Sequence, residues 1–435
     1  MRSLLLASVV LLGCGQPGRE TVDADVGGPA DACEGLECRI VNCEKQGKPP
    51  TTISGTVFAP NRSLALHGVT VYIPLSDPGP LMSGAQCSRC QDGIPGGSAA
   101  NTTSGTDGTF TLNNVPTGRN VPVIVQVGKW RRRVDIPEVL PCTDNPLPPD
   151  LTALPRSKDE GDLPMIAAST GSNDKFECLI RKLGVADKEF TTSSGAGNVH
   201  IYAGNGASKF STTNEAFPPS EMLWGSVDTL KKYDLVMFGC EGSERPATKP
   251  QTAMNALKAY ADLGGRAFMS HYHKIWIYGS ATDRTHAPAV WPEVATCNID
   301  NYDTLDATID QTNNPKGAAF TSWMNSVGGS STGTFPITDA RQSCSAVNPS
   351  RAERWVYAQK AGNQIPVNFQ FTTPNEVPLE QRCGKVVFSD MHVSTGGGST
   401  SNGFPMSCAT TPLTPQEKAL AFMFFDIASC VGPIF

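Results

Sequence analysis

Reactive side chains gather at three places where an apolar run gives way to polar residues. These are Gly239-Cys240-Glu241-Gly242, Met269-Ser270-His271-Tyr272-His273 and Ser389-Asp390-Met391-His392. Four of the six histidines (His271, His273, His286 and His392) fall in or beside them. Three chemistries fit these residue types. His271, His273 and His392, with Glu241 or Asp390, form a ligand set for a divalent metal, zinc being favoured by imidazole and carboxylate donors. Ser270 can instead serve as a nucleophile with His392 as its base. Finally, the same groups, with Cys240, Glu241 and Asp390 as pocket residues, can satisfy one another by hydrogen bonds and do no chemistry.

The elements that must position these residues read clearly around the first two clusters. Asp234 to Phe238 is a short apolar run of the kind buried on both faces of a sheet. Ala253, Ala256, Leu257, Tyr260, Ala261 and Leu263 follow at helical spacing, and Gly264-Gly265 stops that helix. Ala267-Phe268-Met269 begins a second buried strand. Strand, helix, strand with polar residues after each strand is a βαβ unit, which carries its site at the carboxyl edge of a parallel sheet. Gly384 to Phe388 is a third such strand, leading to Asp390 and His392. Met165 to Ala168 and Val199 to Tyr202 are earlier ones. Thr414 to Ala428 predicts a closing helix, with Thr414 and Glu417 as a capping box. The spacings Gly195-Ala196-Gly197 and Gly204-Asn205-Gly206 lack a third glycine and are not dinucleotide fingerprints.

The rest of the 435 residues divides by composition. The net charge of −6 argues against a general nucleic-acid binder. Fourteen cysteines suit an oxidising compartment. Residues 1–13 carry Arg2 and then an apolar core from Leu4 to Leu12, the pattern of a signal peptide too short to span a bilayer. Residues 14–50 are rich in Gly, Pro, Asp and Glu and read as a flexible tether holding Cys33, Cys38 and Cys43. Residues 51–141 show period-two alternation, as in Val121, Val123, Val125 and Val127, and predict a β-sandwich. Within them Cys87-Ser88-Arg89-Cys90 lies in a Pro/Gly-rich loop, which favours structural disulfides over redox chemistry. Lys129-Trp130-Arg131-Arg132-Arg133 predicts a solvated basic strand face. Residues 142–162 read as a Pro-rich linker, and 163–435 as a doubly wound α/β domain. That domain is interrupted at about 276–380 by a polar insertion with one amphipathic helix near Ala318 to Val327.

Three resemblances sharpen this outline. Leu11-Leu12-Gly13-Cys14 resembles a bacterial lipobox. It implies lipidation of Cys14, a membrane anchored through acyl chains and, since Gly15 follows, the outer membrane. Ile53-Ser54-Gly55-Thr56-Val57, Gly68-Val69-Thr70-Val71, Thr106-Asp107-Gly108-Thr109-Phe110 and Val115-Pro116-Thr117-Gly118 resemble a carboxypeptidase-regulatory-like (transthyretin-type) domain. Such a domain implies a rigid spacer or adhesion module. Tyr233 to Met237, Tyr260 to Gly265 and Arg266 to His271, with Gly384 to His392, resemble the ThuA-like branch of the class I glutamine-amidotransferase-like fold, which is flavodoxin-like in layout. A glutaminase of that superfamily needs a cysteine on the elbow after the strand and an acid two residues beyond its histidine. Here the elbow reads Met269-Ser270-His271, and Val393-Ser394 follows His392. Two expectations result. One is an envelope lipoprotein whose amidotransferase-like domain binds a ligand, related by family to carbohydrate, without glutaminase activity. The other is a secreted hydrolase, metal-dependent or Ser/His-based, acting on a sugar or acyl substrate.

Overall fold

Short β-prone runs separated by Gly- and Pro-rich turns dominate the first part of the chain, and the strands form where alternation places one face inward. The computed structural model describes residues 35–393 and 403–432. The signal-like segment, Cys14 and Cys33 lie outside the described residues. From Gly35 onward the chain belongs to one compact unit.

The first seven strands are β1 (Thr52–Thr56), β2 (Thr70–Pro74), β3 (Ser98–Thr103), β4 (Thr109–Asn113), β5 (Gly118–Val127), β6 (Trp130–Val139) and β7 (Asp144–Pro146). They make a three-stranded sheet in the order β4-β1-β7 and a four-stranded sheet in the order β3-β2-β5-β6. Ile53, Phe110 and Leu112 of the first share one apolar cluster with Val71, Ile73, Val121, Val123 and Val125 of the second. The Pro-rich stretch after residue 141 does not run free. Its β7 pairs in parallel with β1, and Cys142 is bonded to Cys43. A one-turn helix, α1 (Pro149–Thr152), follows, and the Thr152 hydroxyl donates to Thr56 O at 2.6 Å.

The remaining described residues build a mixed α/β layer. Its strands are β8 (Ile166–Ser169), β9 (Phe190–Thr191), β10 (Val199–Tyr202), β11 (Leu235–Phe238), β12 (Arg266–Ser270), β13 (Ala295–Thr296), β14 (Asn301–Ile309), β15 (Thr334–Gln342), β16 (Ala346–Val347), β17 (Glu353–Lys360), β18 (Asn363–Thr373) and β19 (Gly384–Ser389). Ten of them form one sheet in the order β15-β14-β17-β18-β19-β12-β11-β8-β10-β9. From β9 to β19 the neighbours are parallel, and from β19 to β15 they are antiparallel. The polar insertion therefore extends the sheet at its edge rather than lying over it.

Helices cover both faces. α2 (Phe176–Lys182) and α8 (Pro415–Ala428) pack with Ile166, Ala168, Met237 and Phe268 on one face. Between them in sequence come α3 (Glu221–Trp224), α4 (Val227–Leu230), α5 (Gln251–Asp262), α6 (Ile275–Tyr278) and α7 (Gly317–Ser326). α5 sets Ala253, Met254 and Leu257 against Val236, Ala267 and Met269 on the other face. The capping box at the start of α8 forms as its sequence requires, with Thr414 and Glu417 each bonding the other's backbone. No described helix is long and apolar enough to cross a membrane.

α8 also joins the small sheets to the large one. Trp130 meets the Phe424 and Phe425 rings edge-on at 6.4 and 6.2 Å, and Phe422 stacks on Phe320 at 4.3 Å. The basic run beside Trp130 is not a free, solvated face. Lys129 pairs with Asp234 of the large layer, Arg131 with Asp162 at 2.8 Å, and Arg132 donates to Asp150 O at 2.7 Å. The loop holding Cys87 and Cys90 reaches the far end of the chain through Cys87–Cys383 and Cys90–Cys430. Cys178–Cys408 ties α2 to the segment before α8, and Cys297–Cys344 closes the insertion on itself.

Candidate functional site

β11, β12 and β19 are adjacent and parallel, so their carboxyl ends deliver their next residues to one place. Gly239-Cys240 leaves β11, His271 leaves β12, and Asp390-Met391-His392 leaves β19. His271 has φ +42°, a left-handed conformation that histidine adopts more readily than most residues. This turn redirects the chain from the strand into a 3-10 turn, His271–Lys274, and on into α6.

The result is a buried cluster. Cys240 Sγ lies 3.2 Å from His271 Nδ1, and the His271 and His392 rings are centred 5.5 Å apart. One ligand atom from each of Cys240, His271 and His392 lies within 4.8 Å of the others. All three side chains are buried, and Nε2 of both histidines lacks a hydrogen-bond partner among the described residues. Burial, reinforced by His392, Arg341 and neighbouring cations, pushes His271 down to about 2. Burial and then Arg341 push His392 down to about 3, against the pull of Asp339. Burial lifts the Cys240 thiol to about 12, although the backbone N–H groups of Gly242 and Tyr272 point at the sulfur and oppose the rise. At neutral pH the cluster is therefore a neutral thiol between two neutral imidazoles. Cys240 is the free cysteine among the described residues.

The other sequence candidates do not converge here. His273 turns to the opposite side of the sheet, where it meets Phe238 at a tilt and Trp224 edge-on. Its Nε2 donates to Gly239 O at 3.1 Å, and its Nδ1 accepts from Trp276 Nε1 at 2.9 Å. Both ring nitrogens are used, so His273 has none left for a metal. Glu241 is held by Lys249 Nζ at 2.5 Å in a buried ion pair and stands 4.0 Å from His273. The Ser270 hydroxyl donates to Asp174 Oδ2 rather than to His392. Asp390 accepts from the Ser343 backbone at 2.8 Å and from its hydroxyl at 2.7 Å, which fixes the end of β15 to the end of β19. His286 bonds to Lys249 O.

Asp174 is the buried acid that sequence reasoning missed. It follows β8 in the loop 170–174, takes the Ser270 hydroxyl, and accepts Val393 N at 2.8 Å. Burial raises it to about 7 despite these donors. Its position at a fourth parallel strand end was a signal in the sequence. Asp300 and Ser343 lie in the insertion and gave none.

A cavity of about 510 Å³ opens beside the cluster. Its wall includes Arg245, Tyr272, Lys274, Arg284, Asn298 and Asp300. Tyr272 OH donates to Asp300 Oδ2 at 2.9 Å, and Asp300 Oδ1 stands 3.7 Å from His271 Nε2. A larger cavity, about 1090 Å³, lies between residues 61–65, α2 and the start of α8, and holds none of the candidate residues.

No family model matches this sequence, and no curated protein matches it. Solved structures with partial likeness include a ThuA-like protein from Bacteroides uniformis, 10% identical over 60% of this chain and 89% of that one, with a TM-score of 0.30. A cytoplasmic protein from Salmonella typhimurium is 15% identical over 60% of this chain and 98% of its own, with a TM-score of 0.33. A β-galactosidase from Bacillus circulans is 10% identical over 52% of this chain and 28% of its own, with a TM-score of 0.25. At these scores none of them bears on what this chain does.

Proposed function

We propose that this chain is an exported, lipid-anchored envelope protein that binds a hydroxyl-rich polar ligand of the carbohydrate class at the carboxyl edge of its large sheet. On this reading the small N-terminal sheets are a transthyretin-type sandwich serving as a spacer, and the α/β layer is an amidotransferase-like domain that has lost glutaminase chemistry. Cys14 in its lipobox-like context is the anchor, and the outer membrane is its site. The five disulfides between described cysteines favour an oxidising compartment.

The observation that carries the reading is the wall of the 510 Å³ cavity. An aromatic ring, two carboxylates (Glu244 and Asp300), an amide and three cations converge on a space of small-ligand size. Such a mixture offers both donors and acceptors to ring hydroxyls. The hydrolase alternative fits less well. Ser270 is engaged with Asp174, and the elbow position carries His271. Isothermal titration of the oxidised chain against neutral, amino and acidic sugars tests the proposal. Saturable binding is expected for at least one class, weakened by Asp300→Ala through lost hydrogen bonds. The absence of binding across all three classes overturns it.

A further inference from the structure

We propose that Cys240, His271 and His392 form a zinc site, with His271 coordinating through Nδ1, His392 through Nε2 and Asp300 orienting the His271 ring from outside. This goes beyond the carbohydrate reading and does not depend on it. Three observations support it. The ligand atoms are already gathered within 4.8 Å, with the sulfur and His271 Nδ1 3.2 Å apart, so a single ion could bridge them after small movements. Next, the buried Nε2 of His392, the proposed ligand atom, has no partner among the described residues, whereas both nitrogens of nearby His273 are satisfied. A buried polar atom left unpaired costs roughly 1–3 kcal/mol, so this nitrogen calls for a partner. The third is Asp300. With Nδ1 on the metal, the His271 Nε2–H faces a carboxylate oxygen now 3.7 Å away. That is the carboxylate–histidine–metal arrangement that fixes a ligating ring.

The donor set selects the ion. One sulfur and two imidazoles, with no carboxylate among the three, disfavour calcium and magnesium and suit zinc. Three protein ligands leave a fourth coordination position for water or ligand. Binding converts the Cys240 thiol to thiolate. The S–H bond breaks, the sulfur pair forms the bond to zinc, and one proton leaves to solvent for each ion bound.

The test uses the oxidised chain, stripped with chelator and titrated with zinc and then with cobalt. Variants are Cys240→Ser, His392→Gln and Asp300→Asn, each checked for unchanged thermal unfolding before metal is added. The wild type should hold about one zinc per chain, release about one proton on binding, and give a tetrahedral cobalt spectrum with a thiolate charge-transfer band. Cys240→Ser should lose that band, and His392→Gln should retain little zinc. Asp300→Asn should bind about ten-fold more weakly while keeping the band. Because the band reports a cysteine ligand directly, the wild-type spectrum is informative even if a variant fails to fold. Failure of the wild type to retain zinc overturns the proposal, and so does zinc retained equally by the Cys240 and His392 variants. Either result would leave Cys240 and His271 as a thiol–imidazole hydrogen bond alone.

Discussion

The two ends of β12 and β19 bury polar groups in opposite ways. At the amino end Arg266 is the first residue of β12 and Lys385 the second of β19, and both cations are buried. Arg266 donates to Gly264 O at 2.8 Å, Cys383 O at 2.6 Å and Ile427 O at 3.0 Å, while Lys385 donates to Asp426 O at 3.0 Å and Ser429 Oγ at 2.8 Å. The carbonyls at the end of α8 thus meet positive charge where the helix dipole favours it. At the carboxyl end of the same strands His271 and His392 each leave a nitrogen without a partner among the described residues. One end spends its polar groups on holding the helix. The other keeps them uncommitted, which is the condition for binding something else.

The largest effect should come from breaking the amino end. Arg266→Met strands several buried carbonyls and should cost about 3–5 kcal/mol, read from the urea midpoint at constant slope. A cost below about 1 kcal/mol would show that this end is not the stabilising one. A smaller effect should separate the two neighbouring histidines at the other end. His273→Gln breaks the Trp276 and Gly239 bonds and should cost about 1–3 kcal/mol. His271→Asn keeps a residue that tolerates positive φ and should cost under about 1 kcal/mol in metal-free protein. Equal costs would erase the distinction between committed and uncommitted imidazoles.

The third effect is a slope in pH. Burial raises Asp174 from 3.8 to about 7 and Glu177 from 4.5 to about 8. Each carboxyl binds its proton more tightly in the folded chain than in the unfolded one. The stabilisation is therefore complete below the unfolded values and is lost as pH rises through the folded ones. Stability should fall between about pH 4 and pH 8 from these two groups, and an Asp174→Asn, Glu177→Gln variant should flatten that fall. An unchanged profile in urea titrations at successive pH values would mean that neither acid is held protonated.

Much of this arrangement was legible in the residues. The run from Asp234 to Phe238, the helical spacing from Ala253 to Leu263 and the Gly264-Gly265 stop place β11, α5 and β12 within a residue or two of where they are observed. Those elements bring Cys240 and His271 to one edge, and Gly384 to Ser389 brings His392 beside them. The direction of His273 was not legible. A left-handed residue followed by a 3-10 turn obeys neither strand nor helix periodicity, so nothing local says which of two histidines faces the sheet end. The insertion was opaque for a different reason. β14, β15, β17 and β18 complete the sheet by pairing outward from β19, and such long-range pairing leaves a weak local imprint. Asp300 and Ser343 were hidden with it.

The two bonds made by the Cys87-Ser88-Arg89-Cys90 loop span 296 and 340 residues of sequence. Cysteines so close in sequence are natural partners for each other or for whichever thiol emerges next. Correct pairing has to wait until Cys383 and Cys430 have both been delivered. Closure of both bonds is thereby tied to residues 296 and 340 positions further along the chain. A chain lacking Cys430 cannot close the second bond, and oxidation in order of emergence would have to be undone by thiol exchange. Together the two bonds clasp this early loop to segments on either side of α8.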